Sequence, residues 1–487
     1  ENYFVNEPQD NFKYTHQRTS KVLYNELGES IEKKDPTNTS VYTSYYPDGK
    51  VKEVYSSAHP GYKTKLFYNS QGRRITIDDP DAGRDSSYYD AFGNLIWNIN
   101  DKGDSISFAY DDLGRKLKAT DNRGDIHYVY HTDTTSASFG KVDSLYSSDG
   151  TLSEWFTYDN TYGRLLTSSR RFSGKTFTNS YSYDWFGRPM TRTYPSGFEI
   201  QYTYKENGIL KKISGNRRTL WECNDVNALG QITSYAQGDY TTTVDYDVYG
   251  MLEEMTTGTV QEMRYAFDDA GNLSWREDVQ TNQKEIFTYD DLSRLTSVDY
   301  YLNGNHDSSG DLDISYDDGG IITSKSDVGG TIHYGENGAG PHALTSVVNP
   351  ASSYVPPPQR ITYTDFNKVH TIQDTVAQDT TLTLSFWYGL NNQRVKTRLS
   401  ENSSVQRVKY FHGDYEEEST ATGTKKYHYI HAPTGLVGIF VQDGGGNDTL
   451  YHVLTDHLGS LTAVINAETD SVTRYSYNAW GNPRDPQ

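Results

Sequence analysis

The strongest constraint on this chain is a short pattern that recurs along almost its whole length. It consists of an aromatic residue, an aspartate, two or three variable residues, a glycine and an arginine. One copy comprises Tyr158, Asp159, Gly163 and Arg164, with Phe156 two residues before the tyrosine. Further copies are Tyr110, Asp111, Gly114 and Arg115, and Tyr183, Asp184, Gly187 and Arg188. Because a fixed period outweighs other fold signals, we interpret the chain as a repeat protein.

The chemistry of one copy predicts a β-hairpin. Phe156 and Tyr158 are two residues apart, so they share one face of a strand. Asp159 can accept hydrogen bonds from the amides that follow it, and Gly163 provides the positive-φ position that closes a tight turn. Arg164 then begins the return strand. Two strands and two turns make a unit of about 21 residues.

The repeat extends through most of the sequence, with insertions that predict loops, such as the proline-rich residues 350–358. The aligned aromatic position falls at Tyr24, Tyr46, Tyr68, Tyr89, Tyr110, Tyr130, Tyr158, Tyr183, Tyr204, Cys223, Tyr246, Phe267, Tyr289, Tyr316, Tyr334, Tyr363 and Tyr388. Cys223, the single cysteine, therefore reads as a packing residue in place of a repeat tyrosine.

Composition favours an ordered all-β chain. Hydrophobic content is only 34% and mean hydropathy is -0.78, values that would also fit disorder. The 42 Tyr, 17 Phe and 7 Trp residues argue against disorder, because such aromatic content is typical of sheets. Helical periodicity is almost absent, and only a short helix near residues 391–396 is conceivable.

The unpaired edges of each hairpin predict the higher-order arrangement. Stacking hairpins side by side pairs every edge except those at the ends. A twisted ribbon of roughly 40 strands cannot stay flat. We therefore predict an all-β fold in which tandem hairpins form a continuous spiral sheet that winds into a complete or partial hollow shell.

The Tyr-Asp-x-x-Gly-Arg copies resemble the YD repeats of Rhs proteins, a family that includes toxin-complex C components, wall-associated proteins and teneurins. A later segment resembles the Rhs repeat-associated core. It contains Asp456, His457 and Gly459, followed by Trp480 and Gly481. The resemblance divides the chain into a repeat array, residues 1–400, and the first part of the core, residues 401–487.

The resemblance implies a hollow β-shell, or β-cocoon, that encloses a C-terminal toxin. Many members end their core in an Asp-Pro-x-Gly-Leu autoprotease motif. Here the sequence ends Asp485-Pro486-Gln487 without the Gly-Leu, so we do not assign the protease role to Asp485. The chain starts without an initiator methionine or signal peptide, so we expect it to be part of a longer polypeptide. The cleavage motif and the toxin would lie beyond residue 487.

The expected function is thus an encapsulating shell of a secreted or delivered bacterial polymorphic toxin. The expected partners are the C-terminal cargo or another chain that completes the shell. The alternative is an extracellular or cell-surface binding module whose tyrosines and tryptophans contact carbohydrate or a partner protein. A net charge of -20 argues against nucleic acid on the outer surface, and no apolar run is long enough for a transmembrane helix.

No catalytic, metal or cofactor site is predicted. The repeat aspartates recur at one structural position, whereas an enzyme needs one asymmetric site. Five histidines, at positions 412, 428, 431, 452 and 457, are interpreted as packing or turn residues. Residues 307–313 and 443–448 resemble calcium loops but lack the full ligand spacing, so both are interpreted as hairpin tips.

Overall fold

The computed structural model describes residues 18–351, 360–377 and 380–484 and confirms the all-β prediction. These residues form 44 strands and one short 3-10 helix, Glu336–Gly338. Most of the proline-rich stretch and the Asp485-Pro486 pair lie outside the described residues.

The first 29 strands belong to one antiparallel sheet. Strands β1–β15 are Lys21–Tyr24, Ser30–Lys34, Ser40–Tyr45, Val51–Ser56, Lys63–Tyr68, Arg74–Asp79, Gly83–Tyr89, Leu95–Ile99, Ser105–Tyr110, Lys116–Asp121, Gly124–Tyr130, Val142–Ser147, Leu152–Tyr158, Leu165–Phe172 and Lys175–Tyr183. Strands β16–β29 are Pro189–Thr193, Glu199–Tyr204, Leu210–Gly215, Arg218–Val226, Ile232–Gln237, Tyr240–Tyr246, Leu252–Thr257, Gln261–Phe267, Leu273–Asp278, Gln283–Tyr289, Leu295–Leu302, Asn305–His306, Leu312–Tyr316 and Ile322–Lys325.

Three further sheets follow. Strands β30 and β31, Thr331–Tyr334 and Leu344–Val348, form a hairpin. An 11-stranded sheet contains β32–β42, which are Arg360–Tyr363, Val369–Ala377, Thr380–Tyr388, Arg394–Glu401, Ser404–Phe411, Tyr415–Thr420, Gly423–Ala432, Gly435–Gln442, Thr449–Thr455, Leu461–Asn466 and Val472–Arg474. Strands β43 and β44, Ser476–Tyr477 and Pro483–Arg484, pair last.

The predicted turn forms in the repeat of Tyr158, and a β-bulge precedes it. Thr157 pairs with Thr167, but Tyr158 pairs with Leu165, so one residue of the return strand is left unpaired. The Asp159 carboxylate accepts hydrogen bonds from the amides of Thr161, at 3.1 Å, and Tyr162, at 2.6 Å. Such bulges increase local twist and re-aim the side chain beside them.

Sequential antiparallel pairing places the turns alternately at two edges of the sheet. We call the edge formed by the repeat-motif turns the motif edge and the opposite one the return edge. Along β13–β22 the motif turns begin at Asp159, Asp184, Lys205, Asn227 and Asp247. The return turns of the same strands connect β14 to β15, β16 to β17, β18 to β19 and β20 to β21.

Three sequence-based assignments differ from the structure. Strand β3 ends at Tyr45, so Tyr46 takes the aspartate position of its turn. Strand β19 continues past Cys223 to Val226, because Asn227 opens the turn with the same side-chain bonds as aspartate. Residues 391–396 form a turn and the start of β35, not a helix.

The chain consists of two compact units. The first comprises residues 1–107, 265–278 and 282–355, and its core cluster contains Phe287, Val298, Leu312 and Ile314. The second comprises residues 108–264, 279–281 and 356–487. Within the second unit, we call residues 116–264 the first layer and residues 360–474 the second layer.

A matched pair of glycine substitutions tests the turn geometry. Gly163 and Gly187 both have positive φ, 68° and 83°, so alanine costs about 1–2 kcal/mol of strain at either position. A Cβ at Gly163 would also lie 2.5 Å from the Ala137 carbonyl oxygen, whereas Gly187 has open space. We expect Gly163→Ala to lower the free energy of unfolding more than Gly187→Ala.

Hydrogen exchange measured by mass spectrometry should place the damage in both variants within the hairpins on either side of the substituted turn, because repeat stability is nearly nearest-neighbour. Loss of protection throughout the chain would contradict this local picture.

Candidate functional site: the seam between the two layers

Where an arginine follows the turn, the motif residues link one repeat to the next. The Asp184 carboxylate accepts hydrogen bonds from the Arg188 amide, at 2.9 Å, and from Arg188 Nε, at 2.7 Å. The Arg188 guanidinium in turn lies 4.3 Å from the ring centroid of Tyr204 in the following repeat. The Tyr204 hydroxyl donates back to the Pro189 carbonyl at 2.8 Å. One turn therefore fixes the next through a carboxylate, a guanidinium and a phenol.

The other predicted motif residues occupy equivalent places. Asp111 bonds Arg115 Nε at 2.6 Å, and Asp159 bonds Arg164 Nε at 2.8 Å. The hydrogen bond from Arg164 holds the pKa of Asp159 well below its usual value. Tyr110, Tyr158 and Tyr183 end strands β9, β13 and β15, and Gly114 closes its turn at a φ of 75°.

The residues of the core motif build the same turn. The Asp456 carboxylate accepts from the amides of Leu458 and Ser460 at 2.9 and 2.8 Å, and Gly459 has a φ of 86°. His457 is the second residue of this turn. At the last hairpin Asn478 replaces the aspartate and accepts from the amide of Trp480, while Gly481 has a φ of 78°. Sequence reasoning treated this segment as a separate motif, although its turn chemistry is that of the repeats.

The return edge of the first layer is covered by the second layer, and this seam is the candidate functional site. Aromatic side chains occupy its centre. Phe177 packs against the rings of Tyr410 and Tyr415, with centroids 5.8 and 6.0 Å away. Phe198 stacks on Phe440 at 4.4 Å. Such pairs combine apolar burial with preferred ring geometry.

Buried polar side chains cross the seam and satisfy backbone groups on the other side. Gln237 is 1% exposed, and its Nε2 donates to the carbonyls of Val437 and Val453 at 2.7 and 2.9 Å. The Tyr194 hydroxyl donates to the Tyr429 carbonyl at 2.9 Å. Because buried carbonyls need donors, these side chains specify which strands meet.

Ion pairs lie along the same seam. Arg192 contacts Asp414 at 2.6 Å, and Arg218 forms a bidentate pair with Glu468, both bonds 2.8 Å long. Lys175 pairs with Glu417. Exposed pairs contribute little free energy, so their main effect is to set register and orientation.

Three histidines of the second layer are buried at this seam. His428 Nδ1 lies 2.8 Å from the Phe440 carbonyl, and its Nε2 lies 2.6 Å from the Ser196 hydroxyl. Because the carbonyl can only accept, Nδ1 carries the proton and Ser196 donates to Nε2. Burial lowers the pKa of His428 and of His412 to about 4 and also lowers the pKa of His452. By contrast, His431 is exposed.

The Ser196–His428 pair has the spacing of a nucleophile and its base, but the structure gives it a structural role. The Ser196 hydroxyl also accepts the Phe198 amide at 3.1 Å and so closes its own turn. Ser196 borders a cleft of about 530 Å³ that is also lined by Phe198, Glu199 and Phe440. His428 is fully buried and oriented by a backbone carbonyl, not a carboxylate.

The remaining candidates are placed as follows. Cys223 is buried, with the Lys205 ammonium 3.8 Å from its sulfur. Asp307 and Asp443 each cap a local turn through amides of Ser309 and Gly445. Among the described residues, one trio of ligand-type side chains lies within 4.8 Å of one another, Asp299, His306 and Asp311, and it does not include the core histidines.

Replacing Gln237 by leucine tests the polar part of the seam. Gln237→Leu leaves the two carbonyls unpaired, so we expect the free energy of unfolding to fall by about 2–4 kcal/mol. Amide exchange should rise first in strands β39 and β40, which carry those carbonyls. Gln201→Leu, at an exposed position of β17, serves as the control and should change stability little. Equal effects of the two substitutions would contradict the role given to Gln237.

The buried histidines predict a dependence of stability on pH. Unfolded histidine binds a proton near its usual pKa of 6.5, whereas folded His412 and His428 do so only near pH 4. The unfolded chain therefore binds more protons between these values, and the free energy of unfolding falls as pH falls from 6.5 to 4. Each histidine can account for up to about 3 kcal/mol.

Urea unfolding at several pH values between 7 and 4 measures this slope. The double variant His412→Gln, His428→Gln should have a shallower slope, and the exposed control His431→Gln should keep that of the natural chain. Carboxylates such as Asp184 change the free energy of unfolding only at pH values below about their usual pKa of 3.8, because their pKa is lower in the folded chain. An unchanged slope in the double variant would refute the assignment.

No helix of the described residues is long and apolar enough to cross a membrane. No protein-family model and no curated protein matches the sequence. Among solved structures, the chain is similar to TcdB2-TccC3 without its hypervariable C-terminal region, with a TM-score of 0.78 and 14% identity, over 96% of this chain and 28% of that one.

Two related structures match the same fold. The match to TcdB2-TccC3-Cdc42 has a TM-score of 0.75 and 13% identity, over 95% of this chain and 28% of that one. The match to a Photorhabdus luminescens Tc holotoxin pore with a mutated TccC3 has a TM-score of 0.65 and 11% identity. It covers 96% of this chain and 30% of that one. This chain thus spans less than a third of the length of these proteins. Over 96% of its own length, it has the hairpin-repeat fold of the toxin-complex structures, as the resemblance to YD repeats predicted.

Proposed function

We propose that this chain is a wall segment of an Rhs-type toxin shell, which acts by enclosing a C-terminal effector until delivery. The observation that carries the proposal is the fold match with a TM-score of 0.78 to TcdB2-TccC3. A chain of tandem antiparallel hairpins is suited to building a wall, because each strand pairs with its neighbours along one sheet.

The seam supports the same proposal. Its contacts are made by aromatic rings, ion pairs and buried polar side chains that bind backbone carbonyls, which is the chemistry of a permanent interface. Gln237 and Tyr194 bind backbone carbonyls, so they recognise strand positions and not a diffusible substrate. The proposed partner is therefore a cargo held behind the wall, and the protein carrying it is secreted or delivered by a bacterium.

We further propose that this segment is not an enzyme. The Ser196 hydroxyl closes a turn, and the repeat aspartates are engaged by backbone amides and arginines. A fluorophosphonate probe should leave Ser196 unlabelled. Labelling of Ser196 that disappears in Ser196→Ala would refute this part of the proposal.

Enclosure can be tested on the complete polypeptide that contains this segment. Limited proteolysis should leave the residues after 487 intact in the folded protein and should digest them once the shell is unfolded in denaturant. Electron microscopy should show a closed body with internal density. Cargo that is cut at the same rate in the folded and the unfolded protein, or particles that are open sheets or rods, would overturn the proposal.

A further inference from the structure

One repeat of the first unit contains an extra two-residue strand that brings three ligand-type side chains together. Strand β26 pairs first with this short strand, β27, and then with β28. The segment between β27 and β28 ends at Asp311, beside His306. One ligand atom from each of Asp299, His306 and Asp311 lies within 4.8 Å of the other two. All three residues belong to the same compact unit.

The alternation of side chains along β26 positions two of these groups on one face. Val298 and Tyr300 are buried against the core, so Asp299 and Tyr301 point to the opposite face. His306 is the cross-strand neighbour of Tyr301, and the centroids of the two rings are 5.3 Å apart. This ring contact holds the imidazole on the face that also carries the exposed carboxylate of Asp299.

The Asp311 carboxylate is oriented by the backbone of β26. Its Oδ1 accepts a hydrogen bond from the Tyr300 amide at 2.9 Å. Its two oxygens lie 3.1 and 2.9 Å from His306 Nε2. Gly310 packs so closely on the Tyr300 ring that a Cβ at this position would overlap with it. Because ligands that are already held lose little freedom on binding, this arrangement favours the capture of an ion.

Two carboxylates and one imidazole leave an excess of negative charge on this face. Among the residues that the structure describes, no lysine, arginine or amide group pairs with the Asp299 carboxylate. Lys284 is the neighbour of Tyr301 in β25, but its ammonium lies 4.3 Å from the ring centroid of Trp275. That ring belongs to β24, one strand further from Asp299, so the lysine side chain extends away from the trio.

We propose that Asp299, His306 and Asp311 bind a divalent transition-metal ion such as Zn²⁺, with water in the remaining coordination positions. One imidazole nitrogen and two carboxylate oxygens suit Zn²⁺, Co²⁺ or Ni²⁺, whereas Ca²⁺ takes about six to eight oxygens. Two ligands that are each about 2.1 Å from one ion lie about 3.0–3.4 Å apart, close to the separations between His306 and Asp311. Asp307, whose carboxylate caps the Ser309 amide, is not one of the ligands.

The simpler alternative is an ion pair between His306 and Asp311 alone. Such a pair accounts for their contact but not for the approach of Asp299. The chain offers a matched example in His342 and Asp81, which are 2.5 Å apart and, within the described ranges, belong to no trio of this kind. The side chains of His306 and His342 are equally exposed, at 48% and 45%. His342 therefore serves as the control position.

Isothermal titration calorimetry of this chain with ZnCl₂ tests the proposal. We expect a saturable site for Zn²⁺ and no such binding of CaCl₂ at the same concentrations. Asp299→Asn and His306→Gln should each weaken Zn²⁺ binding at least about ten-fold, because each removes one ligand. His342→Gln should leave the affinity unchanged. Amide exchange of each variant without metal verifies that its hairpins are still folded.

Two further readouts separate a metal site from an ion pair. Bound Co²⁺ should show a changed visible absorption spectrum, and this change should disappear in His306→Gln. Added Zn²⁺ should slow amide exchange within residues 299–311 and leave the hairpin of β30 and β31 unchanged. The absence of saturable Zn²⁺ binding, an affinity unaltered in Asp299→Asn or His306→Gln, or equally tight binding of Ca²⁺ would overturn the proposal. Failure of the proposed enclosure of cargo would not affect it.

Discussion

The turns of a meandering antiparallel sheet lie along two opposite edges. The structure depends on the hydrogen bonds that stabilise each of these turns. Every motif turn needs a group that satisfies the amides exposed by the change of direction. Asp111, Asp159 and Asp184 do this with a single carboxylate and also bind the arginine that follows. The arginine contacts the tyrosine of the next repeat, so a local requirement of one turn becomes the link between neighbours. The repeats of Asp111, Asp159, Asp184 and Asp290 all make this link.

The seam shows a different kind of specificity. Strand edges are chemically uniform, so two layers could slide past each other unless side chains distinguish positions. Gln237 binds two particular carbonyls, and His428 is engaged on both ring nitrogens. These buried groups tolerate one register only, because any shift would leave a donor or an acceptor unpaired. The same burial lowers the pKa of His428 and His412, which favours their neutral forms.

The hairpin repeat was predictable because its cause is local. An aspartate followed by a glycine at the correct spacing defines a turn whatever surrounds it. The prediction was wrong where other residues take the same role, as Asn227 does, and this shifted the register at Cys223. The seam was not predictable, because its contacts join residues such as Tyr194 and Tyr429 that are 235 positions apart. Nothing in the sequence around either residue indicates the other.

The direction of the layer contacts has a consequence for synthesis. In the contacts of Asn122 with Asp365 and of Gln261 with Thr455, the return edge belongs to the earlier residues and the motif edge to the later ones. A hairpin can close within microseconds, whereas a ribosome adds only about 5–20 residues per second. Because the first layer precedes the second layer in the sequence, its hairpins have time to close before the second layer leaves the ribosome, so we expect the second layer to fold against an edge that is already formed.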